Sequence, residues 1–288
     1  MSPLPIARQE TALVRSNDSA RARVDRDIIY TAAGGSARAL DVYRPAADGS
    51  TEPRPVLLAL HGGGWRRFSK EGFGGAVAAE FVPRGQIVVA PNYQLSGPRR
   101  PSWPRVLDDL HAALRWIDEN AEVFGFDRDR VAAIGESAGG HLAALLGTEP
   151  RSTSPDAPRI RVDAVIDLQG PADLFTLDEE SRAGRAALRQ LLGGPPRLLP
   201  EAARAASPAL RVDRETAPML MIHGTGDTIV PISQSRRLAR ALADAGVFHQ
   251  TIEVPRAPHG FRFRWGDRDF AGVVAAFLEK VRGRPALG

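Results

Sequence analysis

Residues 131–147 read VAAIGESAGGHLAALLG. Val131-Ala132-Ala133-Ile134 is a continuous apolar run, the pattern of a strand covered on both faces. Gly135-Glu136-Ser137-Ala138-Gly139 follows, and Gly140-His141-Leu142-Ala143-Ala144-Leu145-Leu146 continues as a helical pattern. Strand, Gly-x-Ser-x-Gly and helix, in that order, is the context in which a sharp, strained turn lifts a serine hydroxyl above the edge of a sheet. Glycine at both flanks removes Cβ atoms that the turn would press together. In another context the same five letters are an ordinary strand–helix turn with a serine cap. The apolar run before and the helix after favour the strained turn, with Ser137 as candidate nucleophile.

Outward from this point, short apolar runs alternate with longer helical patterns. The strand candidates are Asp27–Tyr30, Leu40–Tyr43, Val56–Leu60, Ile87–Ala90, Val131–Ile134, Val162–Leu168, Met219–Ile222 and Gln250–Val254. Val106, Leu110, Ala113, Leu114, Ile117, Ala121 and Phe124 share one helical face, with Gly125 as a stop. Ser233 is placed to cap a helix that carries Leu238 and Leu242 and ends at Gly246. Phe270, Val273, Val274, Phe277, Leu278 and Val281 stripe a last helix. The alternation predicts an α/β fold with a mostly parallel eight-stranded sheet flanked by helices. Gly34-Gly35 links the first two strands as a hairpin, so the sheet starts antiparallel. Residues 1–26 are polar and arginine-rich without a period, and read as an N-terminal arm. Residues 27–288 read as a single domain, with room for two helices and a partial lid within 170–218.

Composition narrows the function classes. A chain of 288 residues, 43% hydrophobic and 25% charged, supports one large core. All but two of its 38 basic residues are arginine, the exceptions being Lys70 and Lys280. The arginines are interspersed with acids, as in Asp127-Arg128-Asp129-Arg130, and build no basic stripe, so nucleic acid is not an expected partner. Cysteine is absent, which excludes disulfides, a thiolate nucleophile and a Cys-ligated metal. The N-terminal residues lack the apolar segment of a signal peptide, and the longest apolar stretch, Phe270 to Leu278, is too short to span a bilayer. The expectation is a cytoplasmic protein without membrane contact. A homo-oligomer is left open, the sheet ends and last helix being surfaces on which subunits could pair.

A serine hydroxyl is a weak nucleophile and needs a base. The order Ser…Asp…His goes with this kind of sheet. It leaves His249 and His259, and only His259 lies on a loop after its strand, between the last strand and the last helix. The base in turn needs an acid to orient it and to offset its charge. Asp227, in MIHGTGDTIVP just after the strand Met219–Ile222, faces the same rim; Asp167 and Asp173, near the preceding strand end, are the rivals. A tetrahedral intermediate also needs preorganised N–H donors. Ala138 follows the nucleophile and offers one. His61-Gly62-Gly63-Gly64-Trp65 follows the strand Val56–Leu60, and Gly63 and Gly64 have no side chains to block a substrate. His61 reads as loop support. Trp65 reads either as a wall of an acyl pocket or as buried packing. A phosphate cradle is disfavoured, because neither GxxxxGK[ST] nor a GxGxxG in a βαβ unit is present.

Taken together, LALHGGGW (58–65), VVAPNYQLS (88–96), the stretch from Trp103 to Gly147, LQGPADL (168–174), MLMIHGTGDTIVP (219–231) and APHGF (257–261) resemble the α/β-hydrolase superfamily. Within it they are similar to bacterial esterases with an HGGG oxyanion loop, related to the hormone-sensitive-lipase-like group. The nearest branch includes feruloyl- and acetyl-ester hydrolases of plant polysaccharides and kynurenine-formamidase-like enzymes. The resemblance covers roughly Asp41 to the C-terminus. It implies that Ser137, Asp227 and His259 are the triad, that Gly63, Gly64 and Ala138 are the oxyanion donors, and that no cofactor or metal takes part. The expected substrate is a small carboxylic ester, short-chain or aromatic, cleaved through an acyl-enzyme. An arylformamidase or amidase acting on a small N-acyl substrate and a non-catalytic ligand-binding member of the fold are the alternatives. Glu136 stands where the lipase-like group often has Asp, and the N-terminal segment is short for a full cap domain; both point to the small, open-sited esterases. Gly64, where formamidase-like enzymes often carry another residue, favours ester over amide.

Overall fold

The computed structural model describes residues 12–13, 22–32, 37–46, 49–150 and 159–283. All eight expected strands form, as β2 (Arg23–Thr31), β3 (Arg38–Arg44), β4 (Arg54–Leu60), β5 (Ile87–Pro91), β6 (Phe126–Glu136), β7 (Ala164–Leu168), β8 (Met219–Gly224) and β9 (His249–Val254). A two-residue strand, β1 (Ala12–Leu13), pairs with the start of β2, so pairing begins inside the stretch read from sequence as an arm; the rest of residues 1–21 lies outside the described residues. The sheet order is β1-β2-β3-β5-β4-β6-β7-β8-β9. Pairing is antiparallel as far as β3 with β5 and parallel from β4 onward. The Gly34-Gly35 link lies outside the described residues, but the antiparallel register of β2 and β3 is that of a hairpin.

Alternation along β4 shows how the sheet is covered. Val56, Leu58 and Leu60 join one apolar cluster, and Leu57 and Ala59 join the other. Opposite faces of a strand alternate, so a run this apolar needs a layer on each side. On one side lie α1 (Lys70–Phe81), through Phe73, Val77 and Phe81, and α9 (Ala271–Arg282), through Val274, Phe277 and Leu278. On the other lie α2 (Arg105–Glu119), a short α3 (Ala121–Phe124) and α4 (Ala138–Gly147). Every residue of α4 is buried, and Leu142 and Leu145 are fully so. Each such leucine is worth about 1.5–3 kcal/mol relative to exposure. That packing fixes the helix that starts at the serine.

After β7 the chain leaves the sheet for α5 (Leu174–Glu180), α6 (Arg182–Leu192) and α7 (Pro200–Ala205), one helix more than expected, with 3-10 turns at Pro196–Leu198 and Pro208–Leu210. It then returns through β8 to α8 (Ser233–Asp244), which ends at Gly246 with φ 73°. Ser233 does not cap α8: it is the first helical residue, and its hydroxyl bonds the Glu180 carboxylate. A small exposed hairpin, β10 (Arg264–Trp265) with β11 (Arg268–Asp269), precedes α9. Among the described residues no helix is long and apolar enough to cross a membrane.

Candidate active site

β6 ends at Glu136 and α4 starts at Ala138, so Ser137 alone makes the turn, at φ 54° and ψ −119°. A non-glycine residue held there stores roughly 1–3 kcal/mol. The surroundings enforce it. The Ser137 N–H donates to the Leu168 carbonyl of β7 (2.8 Å), and the His141 N–H to the Ser137 carbonyl (3.0 Å). A Cβ on Gly139 would overlap the Leu60 carbonyl oxygen, so glycine is what lets the first turn of α4 rest on the end of β4. Leu60 pairs with Gly135, which puts the loop after β4 beside the serine.

Ser137 Oγ–H donates to His259 Nε2 at 2.9 Å, and His259 Nδ1–H donates to Asp227 Oδ2 at 2.6 Å. The three side chains arrive from the ends of β6, β8 and β9, the rim where open α/β sheets bind ligands. The other Asp227 oxygen, Oδ1, accepts the N–H groups of Ile229 (2.8 Å) and Val230 (2.9 Å). His223, fully buried, lies behind it. Its Nε2 is 2.8 Å from the Val230 carbonyl and 3.3 Å from Asp227 Oδ2, while its Nδ1 accepts from Ser235 Oγ at 2.7 Å. Burial alone would raise the Asp227 carboxyl. The bonds from His223, His259 and the Val230 N–H outweigh it and hold the group well below the usual carboxylate range. Asp227 therefore stands as an anion against the imidazole.

Two ties place the histidine loop. Gln169, at φ 59° just past β7, accepts the Gly260 N–H through Oε1 and donates to the Phe261 carbonyl through Nε2, both at 2.6 Å. Arg262 forms a two-pronged pair with Glu136, the residue before Ser137, at 2.8 and 3.1 Å. The other candidates do not reach Ser137. Asp173 caps α5 through the Phe175 N–H, and the His249 ring lies against the Val247 carbonyl. Asp167 is buried beneath the elbow. Its Oδ1 accepts the Gly170 N–H at 2.7 Å, its Oδ2 has no partner among the described residues, and burial pushes the carboxyl up to about 6.

The loop after β4 keeps its glycines mainly for its own fold. Gly63 has φ 105° and Gly64 φ 60°, and a Cβ on Gly63 would overlap the Arg67 carbonyl oxygen. The expectation that they merely clear the way for substrate is thus incomplete. Among the described residues, the N–H groups of Gly63, Gly64 and Ala138 donate to no protein acceptor. His61 is buried, stacked on Tyr93 with ring centroids 4.2 Å apart, and its carbonyl accepts the Tyr93 hydroxyl at 2.6 Å. Trp65 is only 2% exposed, so it packs the loop and does not form a pocket wall; its Nε1–H donates to His141 Nδ1 at 3.2 Å. α6 spans both rims of the site. Its Ala187 lies over Gly64, Ser181 at its N-terminus donates to the Ile229 carbonyl at 2.6 Å, and Gln190 accepts from Arg66 at 3.5 Å. Beside the loop a cavity of about 430 Å³ opens between Phe68, Ser69, Asn92, Gln94 and Arg100; no triad residue lines it. Among the described residues, no three His, Asp or Glu side chains are placed to hold a metal ion.

A strained serine, a histidine on its hydroxyl, a buried aspartate behind the histidine and three unpartnered N–H groups nearby are the parts of acyl transfer. The model of the BD-FAE family matches residues 40–242. The chain belongs to the BD-FAE family. The matched span runs from β3 into α8 and includes the glycine loop, Ser137 and Asp227, while His259 lies beyond it. Esterase LipC of Mycobacterium tuberculosis is 34% identical over 261 residues, which is 85% of this chain and 62% of that protein. This member of the family thus spans about three fifths of the length of the curated relatives it matches. Among solved structures, a truncated carbohydrate esterase from gut microbiota has a TM-score of 0.78 at 24% identity, covering 91% of this chain and 96% of that one. The propionate-bound esterase Est2 of Thermogutta terrifontis has a TM-score of 0.72 at 26% identity, with the same coverage of 91% and 96%. The fold is that of the α/β-hydrolases.

Proposed function

We propose that this protein is a serine carboxylesterase that cleaves small carboxylic esters through an acyl-enzyme. The observation that carries the reading is the hydrogen-bond chain Ser137–His259–Asp227, at 2.9 and 2.6 Å, standing beside unpartnered backbone donors. Similarity to proteins named as esterases supports it.

In the first step His259 Nε2 takes the Ser137 proton while Oγ attacks the ester carbonyl. The Ala138, Gly63 and Gly64 N–H groups receive the oxyanion. Asp227 holds the Nδ1–H tautomer and offsets the imidazolium charge. The protonated histidine then gives its proton to the departing alcohol. In the second step the same base activates water against the acyl-enzyme, and Ser137 is released with the carboxylic acid. Residues 27–288 act as one catalytic domain, with part of 170–218 as a partial lid.

Ser137→Ala tests the reading. Turnover of p-nitrophenyl acetate and butyrate should fall by about 10⁶ in kcat, and labelling by an organophosphonate should vanish. Unchanged ester turnover in the variant refutes the assignment. Wild-type activity on N-formyl or N-acyl substrates without activity on esters replaces ester by amide hydrolysis.

A further inference from the structure

His141 has no place in the triad, yet it joins three parts of the site. It is the fourth residue of α4 and fully buried. Its Nδ1 accepts the Trp65 Nε1–H of the glycine loop at 3.2 Å, and its Nε2–H donates to the Ala206 carbonyl, just after α7, at 2.7 Å. The two rings meet edge to face, with centroids 5.1 Å apart. With one nitrogen accepting and the other donating, the ring is neutral and its tautomer is fixed. Burial keeps it so, pushing the group down to about 4. Trp65 itself sits at φ 56°, directly after Gly64, so its backbone is held away from its preferred region.

We propose that His141 is a positioning residue: by anchoring Trp65 to the helix that starts at Ser137, it fixes the Gly63 and Gly64 N–H groups at the distance an oxyanion requires. The inference rests on the esterase reading above. The logic is spatial. Ala138 is rigid with α4, whereas the glycine donors belong to a separate loop. A hole built from both works only if loop and helix keep one relative position, and the Trp65–His141 bond spans that joint. The Ala206 bond holds the ring in the orientation that aims Nδ1 at the indole.

His141→Leu removes the acceptor and keeps the bulk; Trp65→Phe removes the donor and keeps a ring. Each should lower kcat 10- to 100-fold on p-nitrophenyl acetate with KM changed less than threefold, because the donors act on the transition state. Affinity for phenylboronic acid, whose serine adduct is tetrahedral, should fall in parallel. His141→Asn places an acceptor near the Nδ1 position and should restore kcat to within threefold of wild type. The double variant His141→Leu/Trp65→Phe should be no worse than the poorer single one, since both break the same link. Additive losses, or single variants with wild-type kcat, overturn the proposal. So do equal losses in the leucine and asparagine variants that track only a lower melting temperature. Trp65→Phe, the milder change, keeps the test readable if His141→Leu fails to fold. Ser137→Ala, run alongside, separates the outcomes: unchanged turnover there sinks the esterase reading, and a disabled serine variant beside fully active His141 variants sinks only this inference.

Discussion

Asp227→Asn should disable the site while leaving its shape intact. Oδ1 of Asp227 receives two backbone N–H groups, from Ile229 and Val230. An asparagine must keep its oxygen there, because its NH2 cannot face two donors. The amide nitrogen then takes the place of Oδ2, opposite His259 Nδ1 at 2.6 Å. A donor at that spot forces Nδ1 to accept, so the imidazole proton moves to Nε2. Nε2 faces Ser137 Oγ at 2.9 Å, and in this tautomer it offers a proton where it should take one. Loss of the correct tautomer costs about 10⁴ in kcat in a serine triad, equivalent to about 5 kcal/mol of transition-state stabilisation. The His223 Nε2, 3.3 Å from Oδ2, adds a second donor facing the new NH2, so a small loss of stability should accompany the loss of rate. Stopped-flow release of p-nitrophenol measures the acylation rate directly, and near-UV circular dichroism reports whether the core is unchanged. A folded variant that acylates within tenfold of wild type refutes the role given to Asp227.

Three further outcomes follow from other contacts. Gln169→Ala removes its two bonds to Gly260 and Phe261 of the His259 loop, and kcat should fall roughly tenfold or more in steady-state assays with KM nearly unchanged; an unchanged kcat means the Arg262–Glu136 pair alone holds the loop. Asp167→Asn should alter the pH dependence of stability. The folded carboxyl keeps its proton up to about 6 against an ordinary 3.8, so wild-type stability is fully present below about 4 and declines as pH rises to 6. The variant should gain up to about 3 kcal/mol on wild type across that window, and a melting-temperature difference that stays constant from pH 4 to 7 contradicts this. Gly139→Ala drives a methyl into the Leu60 carbonyl and should cost about 3 kcal/mol in urea unfolding; wild-type stability would falsify the close packing of α4 on β4.

Much of the core was readable because the sheet is covered on both faces. Runs such as Val56–Leu60 and Met219–Ile222 declare themselves by unbroken apolarity, and the turn at Ser137 by its glycines. The polar start of β6 was hidden: Asp127, Arg128 and Arg130 pair with one another or with Asp118 at the strand's solvated end, so no apolar signal marks Phe126 to Arg130. α1 was missed because Gly72, Gly74 and Gly75 blur its period, although Gly74 permits the helix to lie close on Ala90. At the site, residue types with a chemical signature were legible as candidates. Their supports were not. Gln169, His223 and His141 lie in stretches already conspicuous for other reasons, and their roles come from partners 4 to 92 positions away. Single polar residues carry no spacing pattern, so only the folded chain reveals what each one holds. Trp65 shows the same limit, since an aromatic residue after a glycine loop fits a pocket wall and a buried strut equally well until its exposure is known.

The position of Gln169 separates what is fixed from what is free to vary. It sits on the last turn of backbone before the chain departs for α5, α6 and α7, and it holds the His259 loop from there. Immediately beyond it the root of the excursion is pinned twice more, by Asp167 to Gly170 and by Gln234 to Ala172 and Asp173. Machinery and roof therefore meet at a sharp seam. Past residue 173 the helices are free to vary only where they do not carry the Ser181–Ile229, Ala187–Gly64 and Ala206–His141 contacts, so a change of length or sequence there leaves the Ser137–His259–Asp227 chain in place when that seam and these contacts are copied unchanged.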